Sequence, residues 1–132
     1  MKSKGFSLIE LLTVVGIIGI LAAIGLVSYN SYIWSSKKTS AKNIMQQMSL
    51  AQTEYISNNG SYYYTSGGCS SSTTQQIITN LFDGNKDLSE KDFYYCISGN
   101  LNSNTFKITA KNITTNCQVM RDEKNNITDS GC

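Results

Sequence analysis

The 132-residue sequence predicts an α+β protein, one long N-terminal helix packed on a small antiparallel β-sheet. Three observations carry that reading. No residue from Leu11 to Ser36 is charged, and the run is rich in Leu, Ile, Val, Ala and Gly. Beyond it, Ala41, Ile44, Met45, Met48, Ala51 and Tyr55 recur at i, i+3, i+4 and i+7 spacing, with Trp34 leading in. In the last third, apolar and polar residues alternate as they do along half-buried strands.

The uncharged run is long enough, at ~1.5 Å per helical residue, to cross a hydrocarbon core of about 30 Å. A basic leader, Met1 to Lys4, precedes it. The anomaly is Glu10, a lone carboxylate at the head of the run; such a group costs about 2.5–3.5 kcal/mol to insert. A conventional secretory signal would use Ala22, Ala23 or Ser28 for its cut but leaves Glu10 inside the apolar region. A plain membrane anchor leaves Glu10 without a cation. A cut after Gly5 resolves it, because Phe6 then carries a new α-amine, and copies packed side by side can pair that amine with a neighbour's Glu10.

Lys4-Gly5-Phe6-Ser7-Leu8-Ile9-Glu10-Leu11-Leu12 closely resembles the prepilin leader and cleavage motif of type IV pilins and pseudopilins. The resemblance implies removal of residues 1–5 by prepilin peptidase after Gly5, N-methylation of Phe6, and a role for Glu10 in aligning subunits in a filament. It implies the type IV pilin fold, with residues 6–36 as the transmembrane and filament-core helix and residues 37–132 as a soluble head. One departure is that family members often carry a proline where Val27 stands, and this chain has none. Gly16, Gly19 and Gly25 are the remaining weak points of the helix.

Within the head, the amphipathic helix is expected over 37–58, ended by Asn58-Asn59-Gly60. An αβ-loop over 59–92 follows. It opens with Tyr62-Tyr63-Tyr64, a triplet expected to pack rather than to stack on bases, since no basic cluster flanks it. Thr73 or Thr74 is expected to cap a short helix carrying Ile77, Ile78, Leu81 and Phe82, ended near Gly84. Asp83, Asp87, Glu90 and Asp92 do not have the spacing of a calcium loop and read as a solvated turn. Over 93–132 the alternation predicts strands at Phe93–Ser98, Phe106–Lys111 and Cys117–Arg121, with Gly99 to Asn104 as a loop and a tight turn before Ile127. Short connections favour an antiparallel meander.

Cys69, Cys96, Cys117 and Cys132 all follow the apolar run, and an even count in a small exported head reads as two disulfides. Three pairings are open. The expected one is Cys69–Cys96 with Cys117–Cys132. The resemblance supports its second half, because in some type IV pilins the last two cysteines bound a C-terminal loop.

No enzyme constellation is visible. There is no His, no Cys-x-x-Cys pair, no nucleophile elbow and no phosphate-cradling glycine loop. No catalytic residue, metal or cofactor is therefore expected. Net charge is +2, and removal of Lys2 and Lys4 leaves the rest balanced, which argues against strong sequence-independent DNA affinity. The expected role is that of a structural subunit of a type IV pilus (fimbrium) serving adhesion, twitching motility or DNA uptake. Its partners are then other copies of itself, prepilin peptidase, the pilus assembly machinery and the bacterial inner membrane, with the head in the periplasm before assembly. Two alternatives stand beside it. One is a minor pilin that binds DNA or a surface through the tyrosines, Lys107, Lys111 and Arg121; the other is a type II secretion pseudopilin.

Overall fold

The computed structural model describes residues 4–88 and 92–132. Their elements are α1 (Leu8–Asn59), α2 (Ser71–Asn80), β1 (Phe93–Asn100), β2 (Thr105–Asn112), β3 (Gln118–Asp122) and β4 (Ile127–Ser130). The chain forms two compact units, Met1–Ser36 and Lys37–Cys132.

The first unit is helical from Leu8 onward and leaves its apolar side chains exposed as far as Tyr32; Leu12, Leu21 and Leu26 are each more than three-fifths exposed. A helix apolar on every side needs a low-dielectric surround. Helical structure continues through Gly16, Gly19 and Gly25 without a break. Its start is fixed by a reciprocal cap. The Ser7 amide donates to Glu10 Oε2 (2.8 Å), and the Glu10 amide donates to Ser7 Oγ (3.4 Å). This is the Ser-x-x-Glu capping box, which satisfies two amides that the first helical turn otherwise leaves unbonded.

In the second unit, α1 buries Ala41, Met45, Met48 and Gln52. The spacing keeps one stripe facing inward, and Ile44, Ala51 and Tyr55 flank it half-buried. Gln52 is the polar member of the stripe. Its side-chain amide donates to the Tyr63 carbonyl (2.7 Å) and accepts from the Tyr63 amide (2.8 Å), so it pairs with backbone as a strand would. Between the two, Gly60 (φ +78°) turns the chain, and its amide closes on Ile56.

The cap of α2 is Ser70 rather than Thr73 or Thr74. Ser70 Oγ accepts from the Thr73 amide, and Thr73 Oγ1 accepts from the Ser70 amide. Thr73 and Thr74 are needed elsewhere. Thr73 Oγ1 donates to the Tyr95 carbonyl (2.8 Å), and the Tyr95 amide donates to Thr74 Oγ1 (3.0 Å). Two residues along β1, the Ile97 amide donates to Thr65 Oγ1 (3.0 Å) and the Ile97 carbonyl accepts from the Thr65 amide (2.9 Å). The outer edge of β1 is thereby occupied by side chains and loop instead of a fifth strand.

The sheet is an antiparallel meander in the order β1-β2-β3-β4. Tyr95 faces Ala110, Ile97 faces Ile108, and Ala110 faces Val119, all on the covered side. Phe93, Phe106 and Arg121 share that side, and Ile77 and Leu88 complete the core. Each large apolar side chain so buried contributes about 1.5–3 kcal/mol. β1 runs two residues beyond the predicted strand, to Asn100. Gly99 allows this, since a Cβ there would collide with the Thr105 carbonyl and the Tyr64 ring. A fourth strand, β4, lies where the sequence predicted only the chain after a turn; all four of its residues are exposed. The disulfides are Cys69–Cys96 and Cys117–Cys132 (Cα–Cα 4.7 and 4.4 Å). Of the acidic stretch, Glu90 lies outside the described residues, as do Met1 and Lys2 of the leader. Asp92 pairs with Lys37 at 2.7 Å.

Candidate functional site

Two regions carry the residues singled out by the sequence. The first is the start of the chain. Gly5 and Phe6 precede the first helical turn and are exposed, Phe6 to 85%. Four residues beyond Phe6, the Glu10 carboxylate accepts from the Ser7 amide, and it forms no ion pair among the described residues. The peptide bond between Gly5 and Phe6 is thus in non-helical, exposed chain, with the acid four residues downstream held on the first turn of α1.

The second region is the open side of the sheet. Strand alternation puts Lys107, Thr109 and Lys111 of β2 on the face opposite the core. The register sets Lys111 between Tyr94 and Gln118, and Lys107 between Ser98 and Asp122. Neither lysine forms an ion pair among the described residues, whereas other head lysines do: Lys37 with Asp92, and both Lys38 and Lys42 with Asp129 at 3.6 and 3.4 Å. Lys86 bonds the Gln47 side chain. The Asp122 carboxylate, though opposite Lys107, is turned to the β3–β4 hairpin. It accepts from the Asn126 side chain and amide and from the Lys124 amide. The Asn126 bonds, with help from Lys124, hold its pKa below the usual carboxylate range.

Of the groups expected to be available to a ligand, Arg121 is not on this face. Its parity turns it toward α1, where it is 7% exposed and donates through Nε and Nη2 to Asn125 Oδ1. The tyrosine triplet is packing, as expected. Tyr62 meets Phe106 edge-on, Tyr63 meets Tyr55, and the Tyr64 hydroxyl donates to the Thr105 carbonyl (2.9 Å). Tyr95 is buried, which pushes its pKa up to about 12 and keeps it neutral. The β1–β2 hairpin, by contrast, presents Asn100, Leu101, Asn102, Ser103 and Asn104 to solvent. Sequence reasoning passed over it as a turn. The available signal was its three asparagines around one leucine.

A single apolar helix, an amphipathic continuation under a four-stranded meander, and a disulfide closing the C-terminal strand define a type IV pilin. The prokaryotic N-terminal methylation motif matches residues 1–26, and the family described as "Type IV minor pilin ComP, DNA uptake sequence receptor" matches residues 27–123. The chain belongs to that family of type IV minor pilins. It is similar to the fimbrial protein EcpC of Eikenella corrodens, 47% identical over 57 residues, which are 43% of this chain and 37% of that one. The type IV major pilin PilE1 of Neisseria gonorrhoeae is 42% identical over 57 residues, 43% of this chain and 34% of its own length. For the major pilin PilA of Myxococcus xanthus the identity is 41% over 56 residues, 42% and 26% of the two chains. The matched part is between about a quarter and little more than a third of these curated relatives' length. No solved structure matches.

Proposed function

We propose that this protein is a minor subunit of a type IV pilus whose head binds duplex DNA. The observation that carries the reading is the family match over the head, whose family description names a DNA receptor. The open face of the sheet is the surface that suits it. Lys107 and Lys111 lie four residues apart on β2, about 13 Å at ~3.3 Å per residue. That is close to the ~12 Å breadth of the major groove, so the two ammonium groups can reach phosphates on its two lips. Thr109 and Gln118 between and beside them add neutral hydrogen-bonding groups.

The processing chemistry follows the leader. Prepilin peptidase cuts after Gly5, Phe6 is methylated, and the subunit waits in the inner membrane with its head in the periplasm. Assembly moves the apolar helix from lipid to filament core, both of low dielectric, so little apolar burial is lost or gained. Pairing of Glu10 with a Phe6 amine sets the stagger, because an uncompensated buried charge is costly. Intact mass and N-terminal sequencing of protein from sheared filaments tests the processing; a chain beginning at Met1 or cut near Ser28 overturns it. Glu10→Ala is expected to leave the subunit in the membrane and to lower its amount in filaments sharply.

The DNA reading is tested by gel shift with the processed chain in neutral detergent. Lys107→Glu and Lys111→Glu are each expected to weaken binding, by about tenfold if each disrupts one phosphate contact and adds repulsion at low salt. The larger loss is expected at Lys111, which has no carboxylate opposite it. Equal binding by the double variant sinks this face as the interface.

A further inference from the structure

With two free lysines on its open face, the head gains little from counterion release. A duplex-binding protein so placed needs another source of affinity and of selectivity. The β1–β2 hairpin offers one. Leu101 is 67% exposed at its tip. Asn100, Asn102, Ser103 and Asn104 surround it, with no other large apolar side chain in the loop. A lone exposed leucine is ordinary on a protein surface; its mounting is what distinguishes this one.

The tip is braced from below. The Tyr64 hydroxyl lies 3.4 Å from the Asn100 carbonyl and 2.9 Å from the Thr105 carbonyl, so one phenol ties both legs of the hairpin. Gly99 admits the Tyr64 ring against the first leg. Within the tip, the Asn102 amide donates to Asn100 Oδ1 (2.9 Å) and Ser103 Oγ meets Thr105 Oγ1 (3.1 Å). Asn104 takes φ +54°, the left-handed conformation that closes the turn. The leucine is thus presented on a braced, polar-flanked knuckle, three residues beyond which β2 delivers Lys107 to the open face.

Resting on the DNA reading above, we infer that the Asn100–Asn104 hairpin enters a minor groove and that Leu101 wedges between adjacent base pairs, partly unstacking them. Apolar wedges on minor-groove binders act in this way, with neighbouring asparagines reading the groove edge. The ligand is then duplex DNA that kinks readily, with TA, CA or TG steps under the tip. A contact with another protein is the poorer fit, because the apolar surface ends at one side chain and the rest of the tip is amide and hydroxyl.

The test uses the processed full chain in neutral detergent and short duplexes carrying 2-aminopurine at TA, CA or TG steps. Binding is expected to raise the fluorescence at one of these steps. Leu101→Ser is expected to remove most of that gain and to weaken binding to that duplex, while leaving the salt dependence unchanged. Leu101→Met, still an apolar wedge of similar volume, is expected to keep the gain. Binding by the unaltered protein without any gain overturns the wedge and leaves the DNA reading standing. Binding to no duplex at all overturns both. If Leu101→Ser keeps the gain but is lost from filaments, the leucine is a subunit contact and the wedge is wrong.

Discussion

Gln52 and Arg121 are polar side chains turned inward, and each is there for its hydrogen bonds. Gln52 is fully buried and serves the amide and the carbonyl of Tyr63. Gln52→Leu fills similar volume but strands both groups, and an unsatisfied buried polar group costs about 1–3 kcal/mol. A fall in stability of that order in urea unfolding is expected, without loss of helix content. The apolar stripe of α1 was legible from spacing, but Gln52 was not, because its partner lies eleven residues on, in a loop with no periodicity. Arg121 reads as a surface cation until strand parity is applied. It shares parity with Val119, and that places it inside. Asp122 supplies a pH test. Its folded pKa is depressed, so its stabilising bonds are complete above the ordinary carboxylate pKa of about 3.9 and are lost as pH falls through the lower folded value. The β3–β4 hairpin is therefore expected to gain amide-exchange protection from pH 2 to pH 5, and Asp122→Asn to flatten that rise.

At the scale of elements, the uncharged run identified the first half of the long helix, and periodicity identified its second half and three strands, since each of these has a covered face. β4 escaped because its four residues face no core and carry no alternation. What holds it is the ladder to β3, the ion pairs of Asp129 with Lys38 and Lys42, and the Cys117–Cys132 bond. The ion pairs are partly exposed and add a few tenths of a kcal/mol each. The disulfide closes a 15-residue separation and is worth about 3 kcal/mol in the loop-entropy account. Replacing both cysteines by serine is therefore expected to release β4 first. Faster amide exchange confined to Ile127–Ser130, with β1 and β2 unaffected, is the signature to look for. The cap of α2, expected at Thr73 or Thr74, was misplaced by three or four residues for a related reason. Ser70, Ser71, Ser72, Thr73 and Thr74 are all competent caps in sequence. Only the demand of the β1 edge for two hydroxyls assigns Thr73 and Thr74 and leaves Ser70 to the helix.

For the whole molecule, the leader was the most legible part because its residues stand at fixed offsets, and the Ser7–Glu10 box was present in the same letters. The near-balanced charge sets a measurable expectation. If two lysines meet phosphates, the logarithm of DNA affinity falls with the logarithm of salt at a slope of roughly −2. A slope several times steeper points to a different, more basic surface. One further consequence comes from the threonines along β1. The stretch Phe93-Tyr94-Tyr95-Cys96-Ile97-Ser98 is uncharged, aromatic and free of proline, the composition of segments that stack into cross-β fibres. Thr65, Thr73 and Thr74 occupy the rim from which such stacking would grow. On the proposed pilus role the chain has a helical polymer to join, and the threonines along this rim work against a cross-β one.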